Sequence, residues 1–305
     1  MPESQRMDFD ERIQRLSKQW NAVPIDKLGA GGMGAVYLLR RGDTNEPLAL
    51  KVMLPALAAN PVAQAMFLRE AENCLALSHP NVVRAFEAGF AEGIFFLTME
   101  FCDGGSLDRL VEREGVQTAD ESLAIVFDVL SGLEYAHKAE IPNVVLADGS
   151  TARGTGLVHR DLKPQNIFLA QTQSGRSAKV ADFGLAKAFE LAGLTNKTVT
   201  GQMAGTPAFM PRQQALNFKY SEPEVDVWAA AASLYFLLSG FTPRDFFPGR
   251  DPWRTVWDTD PVPILKRGVP VPPRLAEVID QALVDRPEIK FKEVARFRTA
   301  LEQAL

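Results

Sequence analysis

Between Val23 and Met99 the apolar residues come in short alternating runs, and beyond Ser106 helical patterns take over. That change of period restricts the chain to a fold whose sheet and helices are segregated rather than alternating. "AVYLLRR" and "PLALKVML" read as strands joined by the turn-prone "GDTNE". "NPVAQAMFLREAENCLALS" interrupts them with a helix, Asn60 being the candidate N-cap and Pro61 the first helical residue. "NVVRAFEAGF" and "GIFFLTMEF" return to strands, and "CDGGS" follows as a glycine-containing hinge within Phe101 to Ser106. Ahead of the sheet, Phe9, Ile13, Leu16 and Trp20 form a helical stripe, read as a short helix packed on the body. The expectation is an α+β chain with a helical extension at 1–22, a small sheet-rich part at 23–100 and a larger, mainly helical part at 101–305.

A chain of 305 residues is long enough for two such lobes and a sizeable core. Its net charge of −5 argues against a nucleic-acid surface, which needs a basic excess. Cys74 and Cys102 cannot make a disulfide framework, which favours a reducing cytoplasm. The first twenty residues lack the apolar stretch of a signal peptide. The longest apolar run, Val227 to Leu238, has 12 residues, too few to span a bilayer, and reads as a buried helix. A cytoplasmic location is therefore expected, with a membrane anchor beyond residue 305 of a longer protein left open.

Four stretches carry chemistry. In "LGAGGMGAVYL", Gly29, Gly31 and Gly34 form a GxGxxG with strand-like residues after it. A dinucleotide fold would need a helix there, so the glycines read as a hairpin whose N–H groups can lie over phosphates. Lys51 sits in the middle of an apolar strand, where an unpaired ammonium is costly, and so calls for an anion. Glu70, on the following helix, is the chosen partner over Glu72, which faces another direction. In "LVHRDLKPQNIFLA", His159, Arg160, Asp161, Lys163 and Asn166 crowd into eight residues between apolar flanks. In "KVADFGLAK", Asp182 precedes Phe183 and Gly184, 16 residues after Asn166.

The order and spacing of these motifs resemble the eukaryotic-type serine/threonine protein kinase family, and "GAGGMGAVY" and "HPNVV" look like its bacterial branch. The resemblance runs from about Pro24 to Leu301. It implies a two-lobed kinase fold with ATP in the cleft, and Mg2+ (Mn2+ as an alternative) as the metal. It implies that Leu28, Gly29, Gly31, Gly34, Val36 and Ala49 cover the nucleotide, with Phe168 below it. It places Met99 at the gatekeeper position and Glu100 and Cys102 on the adenine-pairing hinge. Lys51, paired with Glu70, would hold the α- and β-phosphates, Asp161 would take the substrate hydroxyl's proton, and Lys163 would sit near the migrating charge. Asn166 and Asp182 would bind metal, and His159 would be structural, packed near Phe183. Arg160 would receive a phosphorylated threonine of the activation loop, for which Thr195, Thr198 and Thr200 are candidates. Thr206 would contact Asp161 and Lys163, and Asp226 would hold the catalytic loop's backbone. The partners implied are ATP and proteins bearing Ser or Thr, with transient self-association for autophosphorylation.

The chain departs from the family in places. Gln213 stands where the family has a glutamate and Lys290 where it has the partner arginine, so a Gln213–Lys290 hydrogen bond is expected in place of an ion pair. About fifteen extra residues precede the catalytic loop, and "NVVLADGSTARGTGLV" suggests an exposed hairpin at about 142–156. Trp253 and Trp257, four apart on a short helix, are read as core packing. The rival to an active kinase is a pseudokinase scaffold. Such scaffolds typically lack the strand lysine, the catalytic aspartate or the metal aspartate, and Lys51, Asp161 and Asp182 are all present.

Overall fold

The computed structural model describes residues 3–30, 34–53, 61–145, 151–173, 175–183, 207–216 and 221–305. Its described residues fall into two compact units, one from residues 1–78 and 83–101, the other from residues 79–82, 102–187 and 205–305.

The first unit is built on a five-stranded antiparallel sheet. Its strands are β1 (Ala22–Ala30), β2 (Gly34–Arg41), β3 (Pro47–Met53), β4 (Ala85–Ala91) and β5 (Ile94–Glu100), in the order β1-β2-β3-β5-β4. Helix α1 (Glu3–Ser17) covers one face of it. Phe9, Ile13 and Leu16 pack there on Ala35, Tyr37 and Leu39 of β2 and on Leu48, Leu50 and Val52 of β3. Burying side chains of this size is worth about 1.5–3 kcal/mol each, which ties the extension to the sheet. Trp20 adds an edge-on contact with Phe96, ring centroids 5.1 Å apart. Helix α2 (Pro61–Ala76) starts at the expected proline; Asn60, its expected cap, lies outside the described residues.

The second unit is mainly helical: α3 (Leu107–Glu114), α4 (Ala119–Ala136), α5 (Arg212–Leu216), α6 (Glu224–Ser239), α7 (Pro252–Asp258), α8 (Pro273–Ala282) and α9 (Val294–Gln303). Thr118 and Glu121 form a reciprocal capping box at the start of α4, satisfying two otherwise orphaned amides. The apolar run Val227 to Leu238 is the middle of α6, which is buried almost all round, as a helix with no polar face must be. Among the described residues no helix is long and apolar enough to cross a membrane.

Two hairpins complete this unit. β6 (Glu140–Val145) pairs with β7 (Thr151–Thr155), so the inserted hairpin exists and its first strand begins two residues before the expected boundary. Residues 146–150, its tip, lie outside the described residues. β8 (Ile167–Thr172) pairs with β9 (Gly175–Val180). Gly104 fits against β8 only because it lacks a side chain, since a Cβ there would lie 2.7 Å from the Leu169 carbonyl oxygen. The reading of both tryptophans as core is corrected for Trp257, which is 40% exposed; its contribution is a backbone carbonyl, described below.

Candidate functional site

The polar stretch at 157–170 folds into a loop whose backbone is held from beneath. Asp226, buried near the start of α6, accepts hydrogen bonds from three groups. The His159 amide donates to Oδ2 at 2.7 Å, the Arg160 amide to Oδ1 at 2.9 Å, and His137 Nε2 lies 2.8 Å from Oδ2. Burial pushes the Asp226 carboxyl up, but the His137 hydrogen bond and charge, with the His159 amide, leave it below the usual carboxylate range. The role expected for Asp226 is the one its contacts describe.

His159 is fully buried, and its tautomer follows from its partners. Nε2 lies 2.7 Å from the Ala181 carbonyl, which can only accept, and Nδ1 takes the Asp161 amide at 3.2 Å, which can only donate. The ring is therefore neutral with its proton on Nε2, and neither nitrogen is left for acid–base work. Its ring centroid is 4.8 Å from that of Phe183.

Around Asp161 the loop gathers the candidate catalytic cluster. Lys163 Nζ contacts both carboxylate oxygens of Asp161, at 3.1 and 2.9 Å. Asn166 Nδ2 donates to the Asp161 carbonyl at 2.7 Å and to Oδ2 at 3.1 Å, which leaves Oδ1 as its unspent acceptor. The Ala181 amide donates to the Asn166 carbonyl at 2.9 Å, so Asp182 follows one residue from Asn166's own backbone partner. Arg160 and Asp182 both have positive φ, 66° and 62°. Non-glycine residues persist in that region only where their surroundings hold them, and such residues cluster at functional sites. Phe168 lies on β8, paired with Lys179 across the hairpin.

In the first unit, strand register assembles the other candidates on one sheet face. Val36 is opposite Lys51, Lys51 opposite Leu97, and Ala49 opposite Met99, so Val36, Ala49, Lys51 and Met99 share the face turned away from α1. Leu28 and Gly29 lie on β1, Gly29 opposite Val36. A Cβ on Gly34 would fall 2.0 Å from the Val52 carbonyl oxygen, so sheet packing itself demands glycine there, while Gly29 has open space. Glu70 is buried on α2, and its carboxylate takes Arg69 at 3.1 Å. The Glu100 amide is bonded to the Arg84 carbonyl at 2.9 Å, and Cys102 is buried. Gly31, Thr195, Thr198, Thr200 and Thr206 lie outside the described residues.

The expected Gln213–Lys290 bond is not formed. Lys290 Nζ bonds Gln281 Oε1 at 2.7 Å and is exposed, while Gln213 Nε2 donates to the Asp285 carbonyl at 2.9 Å. The buried anchor is one residue earlier. Asp285 accepts the Arg212 amide at 2.9 Å, pairs with the Arg212 guanidinium, and takes Arg244 Nη2 at 2.5 Å. Arg212 also reaches the carbonyl of Trp257 at 3.1 Å and Asp260 at 2.9 Å. Lys290 is held at the surface by Gln281, and the charge that pairs with Asp285 comes from Arg212, beside Gln213. Sequence reading also missed Gln214, whose Nε2 donates to the Arg160 carbonyl at 2.5 Å, and His137. Both stand in recognisable stretches, "GTPAFMPRQQA" and "YAH", but only their contacts across the fold give them a role.

Comparison with known proteins agrees with this geometry. The protein kinase domain family matches residues 23–251. The serine/threonine-protein kinase PknB of Mycobacterium leprae is 31% identical over 90% of this chain, and the matched stretch is 42% of PknB. This chain thus spans about two fifths of the length of the curated relatives it matches. A cysteine-to-alanine variant of the Mycobacterium tuberculosis PknI kinase domain superposes with a TM-score of 0.65 and 26% identity, covering 93% of this chain and 95% of that one. Rad53 in complex with AMP-PNP shares the fold, with a TM-score of 0.69 and 22% identity over 92% of this chain and 65% of that one. The chain belongs to the protein kinase domain family, in its bacterial serine/threonine branch, with the two-lobed kinase fold.

Proposed function

We propose that this chain transfers the γ-phosphoryl group of ATP to serine or threonine hydroxyls of proteins, its own activation loop included. The observation that carries the reading is the Asp161 carboxylate, bracketed by Lys163 and Asn166 on a loop whose backbone Asp226 holds. Asp161 orients the substrate hydroxyl and accepts its proton as the oxygen–phosphorus bond forms and the bond from the γ-phosphorus to the departing ADP oxygen breaks. Lys163, on that carboxylate, is placed to offset negative charge as it moves. Lys51 and the glycines of the β1–β2 turn bind the phosphates, with Glu70 orienting Lys51; Val36, Ala49 and Met99 offer the base an apolar sheet face, and Phe168 is a further apolar contact for it. Glu100 and Cys102 present backbone groups to the adenine edge. Asn166 Oδ1 and the Asp182 carboxylate are hard oxygen donors that would hold Mg2+ or Mn2+. Such a metal would supply positive charge to offset that of the phosphates. Arg160 would receive a phosphate on Thr195, Thr198 or Thr200, and Thr206 would border the substrate. Self-phosphorylation requires two copies to meet transiently.

The test is transfer of labelled phosphate from ATP with Mg2+, comparing the protein with Asp161→Asn and mapping the labelled residues by mass. Transfer should fall by about 10²–10⁴-fold in the variant, with label in the wild type on the loop threonines. Wild-type protein that binds ATP but transfers nothing would sink this reading and make the chain a scaffold.

A further inference from the structure

The peptide bonds on either side of Arg160 are held by three groups, while its guanidinium reaches the Ser221 carbonyl at 3.5 Å. The N–H of the preceding peptide donates to Asp226 Oδ1 on α6 at 2.9 Å. In the following peptide, the Arg160 carbonyl accepts from Gln214 Nε2 at 2.5 Å and the Asp161 N–H donates to His159 Nδ1 at 3.2 Å. Between them Arg160 is kept at φ 66°, a region an L-residue with a long side chain leaves unless its neighbours prevent it. Leaving it would rotate both peptides and swing the Cα of Asp161 with them. Two of the three restraints come from the catalytic loop itself or from α6 beneath it. The third, Gln214, comes from α5, which follows the activation segment in the chain.

Gln214 is itself held in place. It is buried, and α5 is tied down by Arg212 on the Asp285 carboxylate and by Gln213 on the Asp285 carbonyl. We propose that Gln214 is a positioning residue for Asp161, transmitting the seating of α5 on Asp285 to the catalytic loop through the Arg160 carbonyl. The proposal rests on Asp161 being the residue that receives the substrate's proton. Its physical content does not: removing the amide donor frees one carbonyl and loosens the peptide ahead of Asp161. A reacting group displaced by about 1 Å loses up to about a hundredfold in rate.

The variant is Gln214→Met, which keeps length and volume and removes the donor, with Gln214→Asn, which keeps the amide but shortens its reach, as the second. Both are measured on the whole chain with ATP and a generic protein substrate. kcat should fall about tenfold, with KM for ATP, nucleotide affinity and the pH profile unchanged. Amide exchange at Arg160 and Asp161, followed by NMR, should quicken in the same variants, and this readout needs no activity. A merely structural role would lower the melting temperature and leave the kcat of the folded molecules alone. A folded variant with kcat within twofold of wild type, or with unchanged exchange at those two amides, overturns the proposal. If wild type shows no transfer, the functional reading fails separately, and the exchange measurement alone decides the role of Gln214. If Gln214→Met does not fold, Gln214→Asn is judged by the same criteria.

Discussion

Two clusters of charge in the second unit are built on opposite terms. At Asp161, Lys163 and Asn166 the charged ends stay partly open, the two ionic side chains 17% and 16% exposed, and Asn166 keeps an acceptor free. At Asp285, Arg212 and Arg244 the groups are almost wholly inside, and each guanidinium is shared among a carboxylate and backbone carbonyls. The first arrangement leaves capacity for something that arrives; the second spends all it has on holding α5, the Arg244 loop and the residues after α8 together. A buried charge must be fully partnered, whereas a charge meant for a ligand must not be.

The sharpest way to break the contrast is Asp285→Ala. It leaves two arginines facing each other out of water, and the expected cost is about 3–5 kcal/mol of stability, read from the urea midpoint. Lys163→Met at the open cluster should cost under about 1 kcal/mol while lowering transfer. Equal destabilisation by the two would erase the distinction.

Asp226 sits between the two types, buried like Asp285 yet serving the open cluster. Its carboxyl titrates below the usual range when folded, so its contribution is complete above the unfolded value of about 4 and fades as pH falls through the folded one. Wild type should therefore lose stability below about pH 4 more steeply than Asp226→Asn, which should itself be weaker by about 1–3 kcal/mol at neutral pH for its mispaired amides. Parallel acid denaturation curves would remove Asp226 from this role. The smallest effect belongs to Lys290→Met. With its exposed ammonium on a half-buried Gln281, stability should move by less than about 0.5 kcal/mol. A loss above about 2 kcal/mol would restore the buried partnership that the spacing of Gln213 and Lys290 suggested.

The open cluster was legible because its parts are close in sequence. His159 through Asn166 lie within eight positions, and Asp182 follows two residues past β9, the strand that pairs with β8 directly after them. The face carrying Val36, Ala49, Lys51 and Met99 was legible in outline, since alternation sorts residues between two faces without saying which neighbour lies across. The stripe of Phe9, Ile13 and Leu16 announced a packed helix, and α1 packs as it should. The buried anchor was not legible. Asp285 lies 73 residues from Arg212 and 41 from Arg244, and nothing local in "MPRQQA" or "VDRPEI" tells which of several charges is taken inside. Family spacing pointed instead to Gln213 and Lys290, one position away from the arginine that does the work.

The sequence by itself determined the segregation of sheet from helices, the order of the kinase motifs and which residues are candidates for phosphate, metal and a substrate hydroxyl. All of these follow from short-range period and spacing. Only the tertiary structure decided that Gln214 joins Asp226 in holding Arg160, which groups the two ring nitrogens of His159 meet, and that Arg212 rather than Gln213 anchors α5. Those outcomes depend on which polar groups lose their water together, and burial is a property of the folded whole.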